Sequence, residues 1–187
     1  MGLFGVFKEL FSFRKELKKS IEDAQKREQL YLQMTCDELS ELSDDELFEA
    51  AVVRTEHKVD SFEEWEEGVN SLNPSQKILY SVNWLEVEVN NGGLCQFFVN
   101  SSRMVAPFVS EYMSVIGANE HKRLFDDFIA KNGIDLTDLS SFDIDEAEEF
   151  EAQNQRYPFE EYDEAFYETE PLEAYLKSFV RKNLKEF

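Results

Sequence analysis

The sequence predicts an all-α fold, a single compact multi-helix domain with a long amphipathic N-terminal helix. Apolar residues recur at spacings of three and four along most of the chain, which is the period of one helix face. No segment between turn signals shows the sustained two-residue alternation of a half-buried strand. Helix starts and stops are also written in local chemistry, as capping boxes and as glycines that follow apolar runs.

The elements follow in order. Leu3, Phe7, Leu10, Leu17, Ile21, Ala24 and Tyr31 form a heptad-like stripe with Phe4 and Phe11 beside it, which predicts one helix to about Gln33. Arg14 and Glu28 interrupt the stripe, so residues 1–33 read as an amphipathic arm packed on its own domain or on a partner subunit, not as a coiled coil. Residues 34–187 read as the acidic helical domain. Thr35-Cys36-Asp37-Glu38 and Ser43-Asp44-Asp45-Glu46 are capping boxes, and the second turns Leu47, Phe48, Ala51 and Val52 inward. A short acidic helix is expected over residues 62–69, anchored by Phe62 and Trp65. Asn73-Pro74 opens a helix with Asn as cap and Pro at its first position; Ile78, Leu79, Val82, Leu85 and Val89 form its inner face, and Gly92-Gly93 ends it. Further helices are expected at 104–116, stopped by Gly117, and at 120–131, stopped by Gly133. Val109, Met113 and Ile116 face inward in the first, and Leu124, Phe125, Phe128 and Ile129 in the second. A connection over 136–142 leads to an acidic helix from Asp145 and to final helices split near Pro158 and Pro171. These last helices point Phe159, Tyr162, Phe166, Leu172, Leu176, Phe179 and Val180 inward.

Composition narrows the function. With 42% hydrophobic residues the chain can bury a core, so wholesale disorder is excluded. The net charge of −21 far exceeds the roughly 2–8 charges that keep a small domain soluble. Direct attraction to DNA, RNA or an anionic bilayer is disfavoured, and basic partners are favoured. Residues 37–67 carry 13 acids against Arg54 and Lys58, and residues 138–173 carry 14 acids against Arg156. Residues 1–33 instead hold 7 bases and 5 acids. The Phe-rich and Lys-rich N-terminal faces would suit a membrane surface, but the acidic remainder opposes it. Lysines interrupt the apolar start, which does not read as a signal peptide, and Val6 stands where a myristoylation signal has Ser or Thr. Cys36 and Cys95 read as reduced thiols of a cytoplasmic protein, with Cys95 in the core.

The segment WLEVEVNNGGLCQFFVNSS, residues 84–102, gathers hydrogen-bonding side chains around one tight corner. It resembles the signature of a bacterial family of DNA-mimic proteins whose C-terminal domain is otherwise of unknown function. The likeness rests on Glu88, Val89, Asn91, Gly92, Gly93, Leu94, Gln96, Phe97, Phe98, Asn100, Ser101 and Ser102. Ile116-Gly117-Ala118 and Tyr162-Asp163 with Phe166-Tyr167 extend it, so it runs from about Asn73 to the C-terminus. Leu94 replaces the family's usual aromatic, and Arg103 replaces its usual glycine. The resemblance implies a protein that occupies the basic surface of a DNA-binding protein such as a transcription factor, and it suggests a structural place for Asp163 beside Phe166.

Glu88, Asn91, Gly92, Gly93, Gln96 and Asn100 are the candidate polar corner. One reading makes the corner an interlocked cap, with the Glu88 carboxylate accepting backbone N–H groups of the next helix; the other makes it a small-molecule site or an enzyme centre. No nucleophile elbow, phosphate loop or zinc spacing is present. His57 and His121 read as solvated, Cys95 has no base nearby in sequence, and no catalytic residue, metal or cofactor is expected. For partner binding the expected acids are Asp143, Asp145, Glu146, Glu148, Glu149 and Glu151, then Glu160, Glu161, Asp163 and Glu164. Glu63, Glu64, Glu66 and Glu67 form a second patch. The expected function is a non-enzymatic homodimer that mimics the charge of DNA and keeps a basic DNA-binding protein off DNA, without contacting nucleic acid or membrane itself. An immunity-type or adaptor protein that plugs a basic toxin stays open beside it, and acidity that merely confers solubility is the bland alternative.

Overall fold

The computed structural model describes residues 3–187, with side chains from residue 17 onward except that of Ala147. Among these residues the fold is all-α, without a strand. The order is α1 (Leu3–Gln33), α2 (Cys36–Ser40), α3 (Asp44–Asp60), α4 (Trp65–Ser71), α5 (Pro74–Val99), α6 (Ala106–Ile116), α7 (Asn119–Asn132), α8 (Ala147–Arg156), α9 (Phe159–Tyr167) and α10 (Leu172–Lys182). Short 3-10 turns occupy Ser101–Val105, Ser140–Phe142 and Leu184–Glu186.

Local capping explains most of the starts. Thr35 and Ser43 each accept the amide of the Glu three residues on, and Glu38 and Glu46 return the bond. Asn73 makes the same box with Gln76, with Pro74 in the first turn. Gly117 (φ 88) and Gly133 (φ 63) end α6 and α7 in the left-handed conformation. The 62–69 expectation needs a shift: α4 starts at Trp65, whose Nε1 donates to Tyr80 Oη at 2.8 Å, while Phe62 lies exposed before it. Likewise α6 starts at Ala106 and α8 at Ala147, because a 3-10 turn absorbs 101–105 and Glu146 acts as the cap of α8.

Helix α5 runs through the centre, touched by α3, α6, α8, α9 and α10. Its buried residues lie on both sides of the chain break described below. The densest packing is aromatic. Phe97, Phe98, Phe125, Phe128, Phe142 and Phe159 are almost wholly buried, and Phe98 stacks on Phe142 with centroids 4.8 Å apart. Burying one such ring is worth roughly 1.5–3 kcal/mol, so the six together contribute on the order of 10 kcal/mol before the cost of ordering the chain. Ile116 and Ile129 pack against the edge of the core and, like Phe179, are only half-buried. Towards the N-terminus Tyr31 is buried and donates to Glu49 on α3, while Leu17, Ile21 and Ala24 are exposed. The expected inner positions Leu3, Phe4, Phe7, Leu10 and Phe11 lie outside the residues whose side chains are described, as does Val6.

His121 corrects the sequence reading. It is 1% exposed, packed edge-on against Phe166 with centroids 4.5 Å apart, and its Nε2 lies 2.5 Å from Thr169 Oγ1. Burial pushes its pKa down from 6.5 to about 4. His57, by contrast, is solvated as expected. Beside His121, across a cavity of about 100 Å³, stands Glu86. Burial, and then the neighbouring Glu173, raise its pKa from 4.5 to about 7, while the amides of Leu172 and Glu173 hold it back.

The two groups act on stability in opposite directions. Below pH 6.5 the unfolded chain takes up a proton on His121 that the fold refuses until about pH 4, so stability is lost as pH falls through that window. Between pH 4.5 and about 7 the fold keeps a proton on Glu86 that the unfolded chain releases, so stability is lost as pH rises. Glu86→Gln is therefore expected to raise the melting temperature relative to the parent by an increment that grows from pH 4.5 to 7.5. An increment independent of pH in calorimetry would contradict a protonated Glu86.

Candidate functional site

The polar corner forms where α5 breaks. Gly92 (φ −163, ψ 25) and Gly93 (φ 77, ψ 179) leave helical geometry, and Leu94 restarts the helix in a new direction. A break inside the core strands carbonyls behind it and amides ahead of it. Helix α9 satisfies both sides: Tyr167 Oη donates to the Val89 carbonyl at 2.6 Å, and Asp163 Oδ1 accepts the Leu94 amide at 2.8 Å. Only glycine fits at 93, because its φ is left-handed and a Cβ would stand 2.2 Å from Asp163 Oδ2. Burial raises the Asp163 pKa and the Leu94 amide lowers it.

Glu88 bridges the break from the first half of α5. It is 6% exposed, and its Oε2 accepts Gln96 Nε2 at 2.7 Å and Asn100 Nδ2 at 2.8 Å. Its Oε1 accepts Ser102 Oγ at 2.8 Å. The donors are thus side chains rather than the expected backbone amides, because Gln96 and Asn100, four apart on the restarted helix, reach the carboxylate first. Asn91 is exposed and makes no side-chain hydrogen bond among the described residues. The short second half of α5 turns its polar pair to Glu88 and its aromatic pair, Phe97 and Phe98, to the core.

Arg103 closes the far end of the same helix. Its guanidinium donates to the carbonyls of Phe98, Val99 and Phe142 at 3.4, 3.3 and 3.5 Å and pairs with Asp143. Charge at a helix C-terminus is favourable there, which gives this departure from the glycine pattern a structural use.

A family model described as DMP19-like protein matches residues 70–183. The chain belongs to the DMP19-like protein family. No curated protein and no solved structure matches the chain. The DMP19-like region contains α5 to α10, and with them the whole corner and the second acidic block; the acids at 37–67 precede it.

Chemically the corner is closed. Glu88 is almost wholly buried with three side-chain donors on its carboxylate, and none of the five larger hollows described is lined by Glu88, Gln96 or Asn100. Burial, and then Asp163, push the Cys95 thiol up to about 11, opposite to what a nucleophilic thiolate needs. No group of three or more His, Cys, Asp or Glu is placed to hold a metal among the described residues, and no helix there is long and apolar enough to cross a membrane.

The acids expected to face a partner divide into two sets. Asp143 pairs with Arg103, Glu146 and Glu149 form the capping box of α8, and Asp163 points into the corner. Asp145, Glu148, Glu151, Glu160, Glu161 and Glu164 are exposed, and among the described residues only Glu151 of these accepts a side-chain bond, a 3.4 Å contact from Gln155. Glu63, Glu64, Glu66 and Glu67 are also exposed, with no side-chain partner among the described residues. Ser102 and Tyr167 are corner members that the candidate set lacks, although both stand in the segments that carry the family likeness.

Two substitutions test the corner. Glu88→Gln removes the charge that three donors share and is expected to lower unfolding free energy by about 3 kcal/mol in urea titration. Gly93→Ala is expected to destabilise more than Gly117→Ala, which meets no atom within 4 Å and carries only the left-handed penalty of about 1–2 kcal/mol. Equal costs at the two glycines would remove the Asp163 clamp from the account.

Proposed function

We propose that this DMP19-like protein binds a basic DNA-binding protein through its second acidic face and keeps that protein off DNA. The reading is carried by the free carboxylates of α8 and α9, which no basic side chain neutralises among the described residues. Neighbours three and four apart on a helix, such as Glu148 and Glu151 or Glu160 and Glu164, lie roughly 5–6 Å apart. Duplex DNA presents one charge per about 1.7 Å of axis, so rows of such helices offer a basic groove a comparable field. The resemblance to DNA mimics and the family membership support the same reading. Free acids around α4 extend the acidic surface.

Two copies are proposed to associate through α1, whose Leu17 and Ile21 stand exposed about one turn apart beside Lys18 and Lys19. Sedimentation equilibrium of Leu17→Glu with Ile21→Glu is expected to show a lower mass than the parent; an unchanged mass removes α1 from the association.

Immobilised protein is expected to retain a DNA-binding protein from lysate at low salt, to release it as salt rises, and to lose it to added duplex DNA. Reversing Glu148, Glu151, Glu160, Glu161 and Glu164 to Lys is expected to weaken capture by about tenfold or more at low salt. Undiminished capture by that variant, persisting at high salt, would refute the mechanism.

A further inference from the structure

Helix α6 is apolar on two sides. Ala106, Val109 and Met113 face the core. On the outer side Phe108 and Val115, with Met104 in the turn before the helix, are each more than half exposed. Their spacings of four and seven put them in one row. An uncovered apolar row of this kind marks an interaction surface. It borders a trough of about 440 Å³ between α4, α6 and residues 134–139. Phe108 stacks on Tyr112 along one lip with centroids 6.2 Å apart, and Trp65 stands on the other, held by its bond to Tyr80. Leu136 and Leu139 close the end.

Inside the trough the charges offset. The Glu66 carboxylate and the half-buried Lys77 ammonium supply one of each sign, and the Arg103 guanidinium is already taken by Asp143 and three backbone carbonyls. The interior therefore selects no sign of charge and suits an apolar side chain. The rim does select. Glu66 belongs to the acids around α4, where Glu63, Glu64 and Glu67 are also exposed. Glu111 stands one turn from Phe108 on the same face of α6, and Asp135 and Asp138 flank the Leu136 wall. None of these carboxylates lies within 4 Å of a basic side chain among the described residues; Asp135 and Asp138 accept only from Thr137 and Ser140. An apolar centre inside a charged rim is the anatomy of a protein interface, and this rim is complementary to a basic partner.

We propose that this trough docks a basic peptide segment of a partner protein, with one bulky apolar side chain seated between Trp65 and Phe108 and flanking lysines or arginines on Glu66, Glu111 and Asp135. The proposal rests on the reading that the partner is basic, and it adds to α8 and α9 a second face with an apolar anchor. The probe is the synthetic peptide acetyl-KKAWAKK-amide, titrated calorimetrically into the full chain at low salt. Its controls are KKASAKK, which lacks the anchor, and EEAWAEE, which reverses the charge. The parent is expected to bind KKAWAKK roughly tenfold or more tightly than either control. Phe108→Ser is expected to remove the advantage over KKASAKK with unchanged far-UV circular dichroism. Glu66→Lys with Glu111→Lys is expected to weaken KKAWAKK by about fivefold or more. Reversal of the α8 and α9 acids is expected to leave the advantage over KKASAKK intact, so failure of the trough and failure of that face are read separately. Equal affinity for KKAWAKK and KKASAKK, or an anchor advantage that survives Phe108→Ser, would overturn the proposal. So would a sedimentation mass above one chain that falls in Phe108→Ser, which would assign the trough to a second copy.

Discussion

A helix that breaks inside a hydrophobic core creates a debt in hydrogen bonds that only other protein groups can settle. Helix α5 breaks at Gly92-Gly93, with Val89 and Leu94 both buried, so water is a poor substitute on either side. Helix α9 meets both needs with Tyr167 and Asp163, four residues apart on one face. Glu88 then fixes the angle between the halves through three side-chain donors from beyond the break. The aromatic cluster depends on that angle, since Phe97 and Phe98 are carried by the short second half. The same two bonds, with the burial of Phe159, Tyr162 and Phe166, set the position of α9 and of the acids on its outer side.

The carboxylates of this chain are therefore not one population. Glu88 and Asp163 are drawn inward and give the corner its geometry. Asp44 and Asp45 are held by Arg181 and Lys177, which tie α10 to the first turn of α3, and Arg181 also donates to the Ser40 and Leu42 carbonyls. Some of the scarce basic residues are thus spent on structure, at Arg103, Lys177 and Arg181. The consequence is a field of uncompensated acids on α8 and α9. Unpaired acids of this kind keep a protein soluble, and a competitor for a basic groove would need them as well.

Much of this fold was legible because its punctuation is local. Capping boxes at Thr35, Ser43 and Asn73, and glycine stops at 117 and 133, act within three or four residues, so pattern and structure agree there. The break at Gly92-Gly93 was legible as a helix end, and the restart beyond it only in outline. What escaped were partnerships set by tertiary packing. Asp163 lies 69 residues from Leu94, and Tyr167 lies 78 from Val89, so no spacing rule joins them. His121 looked like a surface residue because its apolar neighbours, Phe166 and Tyr175, arrive from later helices. Phe62 failed the other way, since an apolar residue near a helix start need not be its anchor when a Trp three residues on finds a hydrogen-bonding partner.

Corner and surface are under different physical constraints in this chain. The segment that carries the likeness is spent on hydrogen bonds within the core, where substitution acts on stability. The acids of α8 and α9 that remain free make no such bonds, so they can vary without cost to the fold and can be fitted to a partner independently of it. Such a scaffold can keep its corner while its charged face changes, so the Asn-Gly-Gly segment by itself carries a fold and not a surface function.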